Sequence, residues 1–514
     1  MGVGIFFASR PARFNVYSDD SLHMTEVLMS RAVMLAVVIV MSAALAAEQG
    51  FVVRLDGGTI TSVEIDSAVT RLMHAAEVTG AQIAILNSGK VVYSKAYGLR
   101  DKEKGLALTN DSIMSAASIS KSAFAYLVMK LVDDRTIDLD KPVYRYLPRP
   151  LPEYPKYADL AGDERYKRIT ARMLLSHTGG FANWRWLEDN RKLKIHFEPG
   201  ARYAYSGEGI DLLQLVVETI TNQPLAVLMQ DRVFDPLGMT GTSMVWEKRF
   251  EGDYANGYDE YGRFLGAHRW QRADAAGSML TTAADVARLV QAVMEGKGLT
   301  EKTREQMLGP QIRILSKHEF PSLSEETTDE YKTIRLSYGL GWGLYWTPLG
   351  EAFFKEGHDD GWRNYTVCFT KPKSGIVILT NSGNGEGIFQ YLLETLQGNR
   401  FTPIAWEGYT PYDKLPPRPP LKQHKQVAVD GRVLDRYVGR YKIQEIVLTI
   451  RREGDHLSVQ ENDEPKQALL PESQFDFFST SSDDAYTFQL DSHGLVTGMV
   501  LHLEGRDLVI QRME

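Results

Sequence analysis

Strand-like runs stand at both ends of one long stretch of this 514-residue chain, and that division constrains the fold more than any other feature. Near the front, residues 81–86 and 91–97 are separated by Asn87-Ser88-Gly89-Lys90, which has the composition of a hairpin turn. Far downstream, 351–356, 362–369 and 376–380 read as three more strands, the last two joined by Lys371-Pro372-Lys373-Ser374-Gly375. Between the two groups the apolar period is helical, with 118–132, 209–221 and 283–295 each apolar on one face, as is 62–78 ahead of the first strand. Strands split by a helical block predict an α+β fold: one antiparallel five-stranded sheet flanked by helices, with a mainly helical subdomain inserted. The polar stretch 310–333 has no clear period and is expected to be a long surface loop.

Both ends of the chain have a different character. Residues 32–47 form an apolar run behind Arg31 that ends in Ala44-Leu45-Ala46, the small-x-small pattern of a signal-peptidase site. The run is shorter than the roughly 20 apolar residues that span a bilayer. The expectation is therefore a cleaved leader over 1–47, export to the periplasm or the outside, and no stable membrane span after cleavage; Met24 and Met29 are alternative starts. A large domain over 48–400 is followed by Pro-rich sequence, including Leu415-Pro416-Pro417-Arg418-Pro419-Pro420, which predicts a semi-rigid linker over 401–430. From 431 to 514, short alternating runs are punctuated by Glu453-Gly454-Asp455, Asp491-Ser492-His493-Gly494 and Glu504-Gly505-Arg506. That punctuation predicts a small all-β barrel.

Composition removes several function classes. The net charge of -8, with no Lys/Arg cluster interleaved with aromatics, argues against nucleic-acid binding. The eleven histidines show no His-Glu-x-x-His spacing, so neither a metal nor another cofactor is expected. The single cysteine, Cys368, lies in a strand-like run and reads as buried filler; with no second cysteine the chain has no internal disulfide. No Gly-x-Ser-x-Gly occurs, which argues against an α/β-hydrolase elbow.

Chemistry enters with Ser118-Ile119-Ser120-Lys121 at the start of an apolar helix. Three residues apart on a helix, Ser118 and Lys121 share a face, and a desolvated lysine can take the proton of a serine that attacks a carbonyl. Such a site needs a proton carrier for the leaving group, a polar or cationic neighbour that tunes the lysine, and backbone donors for the oxyanion. Two stretches offer them. One is the turn-rich Pro199-Gly200-Ala201-Arg202-Tyr203-Ala204-Tyr205-Ser206-Gly207-Glu208-Gly209, and the other is Phe353-Phe354-Lys355-Glu356-Gly357-His358-Asp359-Asp360-Gly361-Trp362-Arg363.

With these stretches the chain resembles the serine β-lactamase and penicillin-binding-protein superfamily, in the class C-like branch that also holds esterases, D-amino-acid peptidases and DD-carboxypeptidases. The resemblance covers most of 80–395 and also rests on Leu174-Leu175-Ser176-His177-Thr178-Gly179-Gly180, Pro236-Leu237-Gly238-Met239, Ala276-Gly277-Ser278-Met279 and Tyr338-Gly339-Leu340-Gly341-Trp342-Gly343. It implies that Ser118 is the nucleophile, Lys121 its base, and Tyr205 the tyrosine of a Tyr-x-Asn element that passes the proton to the leaving group. The family's third element, Lys-Thr-Gly or His-x-Gly on the sheet edge, fits two registers. His358 at its first position is favoured, because Gly357 and Gly361 flank it; Lys355-Glu356-Gly357 is the other register, outside which Lys355 is an ordinary exposed lysine. A cation at either position is expected to depress the pKa of both Lys121 and Tyr205. The implied oxyanion hole is the backbone N–H of Ser118 and of Gly361.

Two departures narrow the substrate. Gly207 stands where the Asn of Tyr-x-Asn would hold a substrate amide, and Asp360 replaces the Gly of His-x-Gly. Gly207, Lys355 and Arg363 are weaker substrate-contact candidates, Arg363 as a fork for a carboxylate. His177 is expected to be scaffold, and Trp184 and Trp186 either line the mouth or pack beneath a loop. Leu434-Asp435-Arg436-Tyr437-Val438-Gly439-Arg440-Tyr441 resembles the lipocalin-like barrel appended to some D-aminopeptidases. The implied activity is that of an exported serine hydrolase acting through acyl-Ser118 on a small peptide, amide or ester, with D-amino-acid peptides and simple esters ahead of β-lactams. A cell-envelope binding or regulatory homologue without useful turnover is the alternative.

Overall fold

Residues 376–379 are apolar without interruption because the strand they form is covered on both faces. Ile376 and Ile378 enter one core with Ile83, Ile85 and Tyr365, while Val377 and Leu379 enter another with Ala84, Leu86 and Phe353. These positions come from a computed structural model that describes Met1 and residues 50–513 except 189–190, 419, 421–422, 444–445, 463–465 and 504–505. The expected leader lies outside the described residues. Val52–Glu514 form one compact unit.

Helix α1 (Ser62–Ala76), with Thr61 and Glu64 closing a capping box, precedes β1 (Gly80–Asn87) and β2 (Lys90–Asp101). The inserted block contributes α2 (Ile119–Asp133), α3 (Gly207–Thr221) and α4 (Ala283–Glu295), and the chain then returns as β3 (Gly343–Thr347), β4 (Gly350–Asp359), β5 (Trp362–Phe369) and β6 (Ser374–Thr380). The sheet runs β3-β4-β5-β6-β1-β2, antiparallel throughout, so the five expected strands are neighbours. Short strands at Ile312–Arg313, Ser337–Tyr338 and Leu106–Ala107 widen it to nine. One face is covered by α1 and by a C-terminal helical segment through Ile65, Leu72, Phe389 and Leu392; the other packs on α2 and α4 through Phe124, Leu127, Val286 and Val290.

Two expectations about loops change. Ile314 and Glu319 are buried, so 310–333 is anchored in the body of the protein instead of lying wholly on its surface. Ile404, Trp406 and Tyr409 belong to the same core as α1, so the first part of the Pro-rich stretch is packed against the sheet domain and does not behave as a linker. Beyond it, α5 (Gly431–Tyr437) places Leu434 and Tyr437 in the core of a closed eight-stranded antiparallel barrel, β7 to β14, running from Gly439–Ile443 to Arg506–Arg512. The first and last strands close it through Tyr441 opposite Arg512 and Lys442 opposite Gln511.

Candidate active site

Ser118 sits at the N-cap of α2, where a serine usually bonds the backbone N–H of the first turn, but its side chain makes no capping bond. Its hydroxyl is free for another role, and Ser118 is the one residue among 112–129 that is not buried. The preceding Ala117 is held at φ +47, a conformation that a non-glycine residue adopts at some strain and that clusters at functional sites. One turn along α2, Lys121 is 1% exposed; its Nζ donates to Ser118 Oγ at 2.9 Å and to the Ala276 carbonyl at 2.6 Å. Burial, and next the Lys355 ammonium, lower the Lys121 pKa to about 8.

Tyr205 is buried beside this pair, with its ring 5.2 Å from Lys121 Nζ. His177, at φ +54, positions it: the imidazole lies 4.4 Å from the Tyr205 ring, and Nδ1 accepts the Ser206 backbone N–H at 3.2 Å. Burial, then Lys355 and Lys121, drive the His177 pKa well below its ordinary value, so this histidine is a neutral support. Ser206 caps α3 by accepting from the Gly209 N–H.

The third partner is Lys355. It is fully buried, donates to Tyr205 Oη at 2.9 Å and forms an ion pair with Glu356. The favoured register is therefore corrected. The His358 side chain is half exposed, its Nδ1 lies 3.6 Å from Glu386, and its ring is parallel to Tyr409 at 6.5 Å; no contact joins it to Ser118, Lys121 or Tyr205. In an extended strand successive side chains face opposite sides, so positions 355 and 358 cannot both point into the site. The expected effect on Tyr205 is also reversed: burial, with Glu356 next, raises its pKa well above the ordinary value, so it rests as a neutral phenol.

The backbone of the same strand corrects the oxyanion donor. Strand β3 pairs with β4 only from Gly350 to Phe354, leaving 355–359 without a β3 partner. Thr370 N–H donates to the Glu351 carbonyl, so odd-numbered β4 residues direct their backbone groups toward β5 and even-numbered ones toward the open edge. Lys355 Nζ reaches the Glu356 carbonyl on that edge at 3.2 Å, in agreement. The edge approaches the turn before Ser118 so closely that a Cβ at Gly357 would overlap the Ala116 carbonyl. The His358 backbone N–H thus points to the Ser118 side. Gly361, at φ +77, instead packs against Gly257 and Tyr258, where a Cβ would lie 2.8 Å from the Tyr258 nitrogen.

Arg363 is drawn to its own turn, Nη1 donating to the Asp359 and Trp362 carbonyls, and its guanidinium forms an ion pair with Glu386 at 2.8 Å. Gly207 has a local reason: a Cβ there would overlap the Trp184 indole, which fills the space. Trp184 lies 5.5 Å from Lys121 Nζ and stacks on Trp186 at 4.6 Å.

Sequence reading missed what lies behind Lys355. Glu319, Glu356 and Glu407 are buried and converge, each offering an oxygen within 4.8 Å of the others. Tyr203 donates to Glu319 and Tyr365 to Glu407, both at 2.8 Å, while Glu319 Oε2 and Glu407 Oε1 have no protein partner. Burial pushes Glu319 and Glu407 well above the usual carboxylate range, leaving Glu356 to pair with Lys355. Their spacing of 37 and 51 residues in the chain, 319 to 356 and 356 to 407, carries no local signal.

Comparison with known proteins gives this geometry its relatives. A family described as Beta-lactamase matches residues 65–396, about two-thirds of the chain. The chain belongs to the Beta-lactamase family. It is thereby a member of a serine hydrolase family. Residues 423–512 match a separate family, described as a domain of unknown function (DUF3471). Penicillin-binding protein 4* of Bacillus subtilis is 24% identical over 76% of this chain and 85% of its own length. Esterase EstB of Burkholderia gladioli is 30% identical over 40% of this chain and 57% of the esterase. Among solved structures, the octameric penicillin-binding protein homologue from Pyrococcus abyssi matches with a TM-score of 0.54 at 20% identity, over 88% of this chain and all of that one. The D-alanine carboxypeptidase AmpC from Burkholderia cenocepacia gives a TM-score of 0.51 at 23% identity, over 63% and 95%. At these identities the structural matches speak for the fold.

Proposed function

We propose that the protein is an exported serine hydrolase that forms an acyl-enzyme at Ser118 on a small ester, amide or peptide, with simple esters and D-amino-acid peptides ahead of β-lactams. The observation that carries the reading is Lys121: buried, 2.9 Å from Ser118 Oγ, and with its pKa lowered to about 8. Ser118 gives its proton to neutral Lys121 and Oγ attacks the carbonyl carbon. The oxyanion falls to the N–H groups of Ser118 and His358, the first at a helix N-terminus that adds its dipole. As the C–X bond breaks, Tyr205 gives its phenolic proton to the leaving group, and the phenolate is held between Lys355 and protonated Lys121. Water then attacks the acyl carbon, giving its proton to the phenolate, and Lys121 returns its proton to Ser118 Oγ as the acid leaves.

Relatives named as esterase and penicillin-binding proteins support this range of substrates. Gly207, which offers no amide to a β-lactam side chain, supports placing β-lactams last. Incubation with a fluorophosphonate followed by intact mass should yield a single adduct that Ser118→Ala abolishes; an unmodified wild-type protein would favour the binding homologue instead. The apolar run 32–47 supports export. Mass spectrometry of the secreted protein should place the mature N-terminus just after Ala46, and a retained full-length chain would refute the leader.

A further inference from the structure

The indole that replaces an asparagine side chain is part of a larger surface. Trp184 occupies the space beside Gly207 and its ring faces Lys121, while Trp186 lies parallel to it at 4.6 Å with an interplanar angle of 10° and is 51% exposed. An exposed tryptophan on a loose loop would mean little, but this turn is fixed. Between the two tryptophans in the chain, Arg185 holds Glu208 by a two-pronged fork, Nε to Oε1 at 2.8 Å and Nη2 to Oε2 at 2.6 Å, and its backbone N–H donates to the same carboxylate. Glu208 is 2% exposed, so the fork is anchored in the protein body at the first turn of α3. The Asn183 side chain accepts the Gly207 N–H and ties the turn to α3 from its other end. Across the site, Phe320 is 42% exposed and its ring meets Tyr205 edge-on at 5.5 Å. The mouth is thus aromatic from two separate loops, with the tryptophan pair on the Lys121 side and Phe320 on the Tyr205 side.

We propose that Trp184 and Trp186 form a rigid wall for the acyl group, selecting esters whose acyl part is flat and apolar, such as an arylacetyl group, over short acyl groups and over acyl parts that carry an amide. The inference rests on the acyl-enzyme reading and adds its substrate class. An arylacetyl group bound at Ser118 gains the stacking face of Trp186 and covers a surface that water otherwise wets. An acyl part with an amide meets an indole where it would need a hydrogen-bonding side chain, and loses water without compensation.

The test compares kcat/KM for p-nitrophenyl phenylacetate and p-nitrophenyl acetate. The wild type should prefer phenylacetate by about tenfold or more, Trp186→Ala should remove most of that preference through KM, and Trp186→Phe should keep it. Leu495→Ala, an exposed apolar residue of the barrel, should leave the ratio unchanged. A wild-type ratio near one, or a ratio that Trp186→Ala does not move, overturns the acyl wall while fluorophosphonate labelling of Ser118 still stands. No label at Ser118 overturns the acyl-enzyme reading and the wall with it.

Discussion

With a pKa of about 8, Lys121 holds roughly a tenth of its population as free amine at pH 7, enough for the proposed base, which is already in contact with Ser118. Tyr205, raised well above 10, stays protonated across the same range and is ready to donate. On this account kcat/KM rises about tenfold per pH unit below 8 and levels off above it, with no alkaline fall until the phenol ionises. Lys355→Met removes a positive neighbour, so the Lys121 pKa rises and the acid limb of the profile moves to higher pH, with a loss of about a hundredfold or more in kcat/KM. His358→Ala keeps the backbone donor and should stay within about threefold of wild type. Equal losses in the two variants would return the third element to the histidine register. The sequence favoured the histidine register because Gly357 and Gly361 flank His358, with Lys355-Glu356-Gly357 as the other; what decides it is strand alternation, which places position 355 inside and position 358 outside.

Elements explain the remaining departures from the sequence reading. Of the five long strands, β1 and β6 were legible as apolar runs buried on two faces and β2, largely exposed or half-buried, through the turn that joins it to β1, whereas strands of two residues, such as Ser337–Tyr338, have no period to detect. The Pro-rich segment misled because the proline cluster from Pro416 to Pro420 marks a linker while Trp406 and Tyr409, seven or more residues upstream of Pro416, seal the sheet core. Gly207 was conspicuous as a missing asparagine, but its partner Trp184 lies 23 residues earlier in a turn held to α3 only in three dimensions. That contact predicts that Gly207→Ala, a mild change on an ordinary helix, is destabilising by about 1–3 kcal/mol because the new methyl displaces the indole. In a Trp184→Ala background the same substitution should be neutral or slightly stabilising, as expected for alanine in a first helical turn. Urea denaturation of the four proteins measures the coupling; additive effects would remove the indole as the reason for the glycine.

For the whole molecule, the buried charge behind the site sets how stability responds to pH. Glu319, Glu356 and Glu407 come from a loop, the β4 edge and the segment that follows the sheet, so their burial requires the complete domain to be assembled. Lys355 neutralises one of them, and the other two hold protons in the folded state, since their pKa values are raised by burial above all. Below the ordinary carboxylate pKa both folded and unfolded chains carry these protons, and stability is unaffected. As pH rises above about 4.5, the unfolded chain releases them while the folded one keeps them, so stability falls by ~1.4 kcal/mol per pH unit for each retained proton. The decline ends where the folded groups themselves ionise. Unfolding free energies measured by urea at pH 5, 6, 7 and 8 should therefore decrease steadily. Glu407→Gln, which needs no proton to remain neutral and can still accept from Tyr365, should make the decline shallower and leave the protein more stable than wild type at pH 8. A wild-type stability that rises between pH 5 and 8, with the variant parallel to it, would mean that these carboxylates are ionised in the folded protein and balanced by some other positive charge.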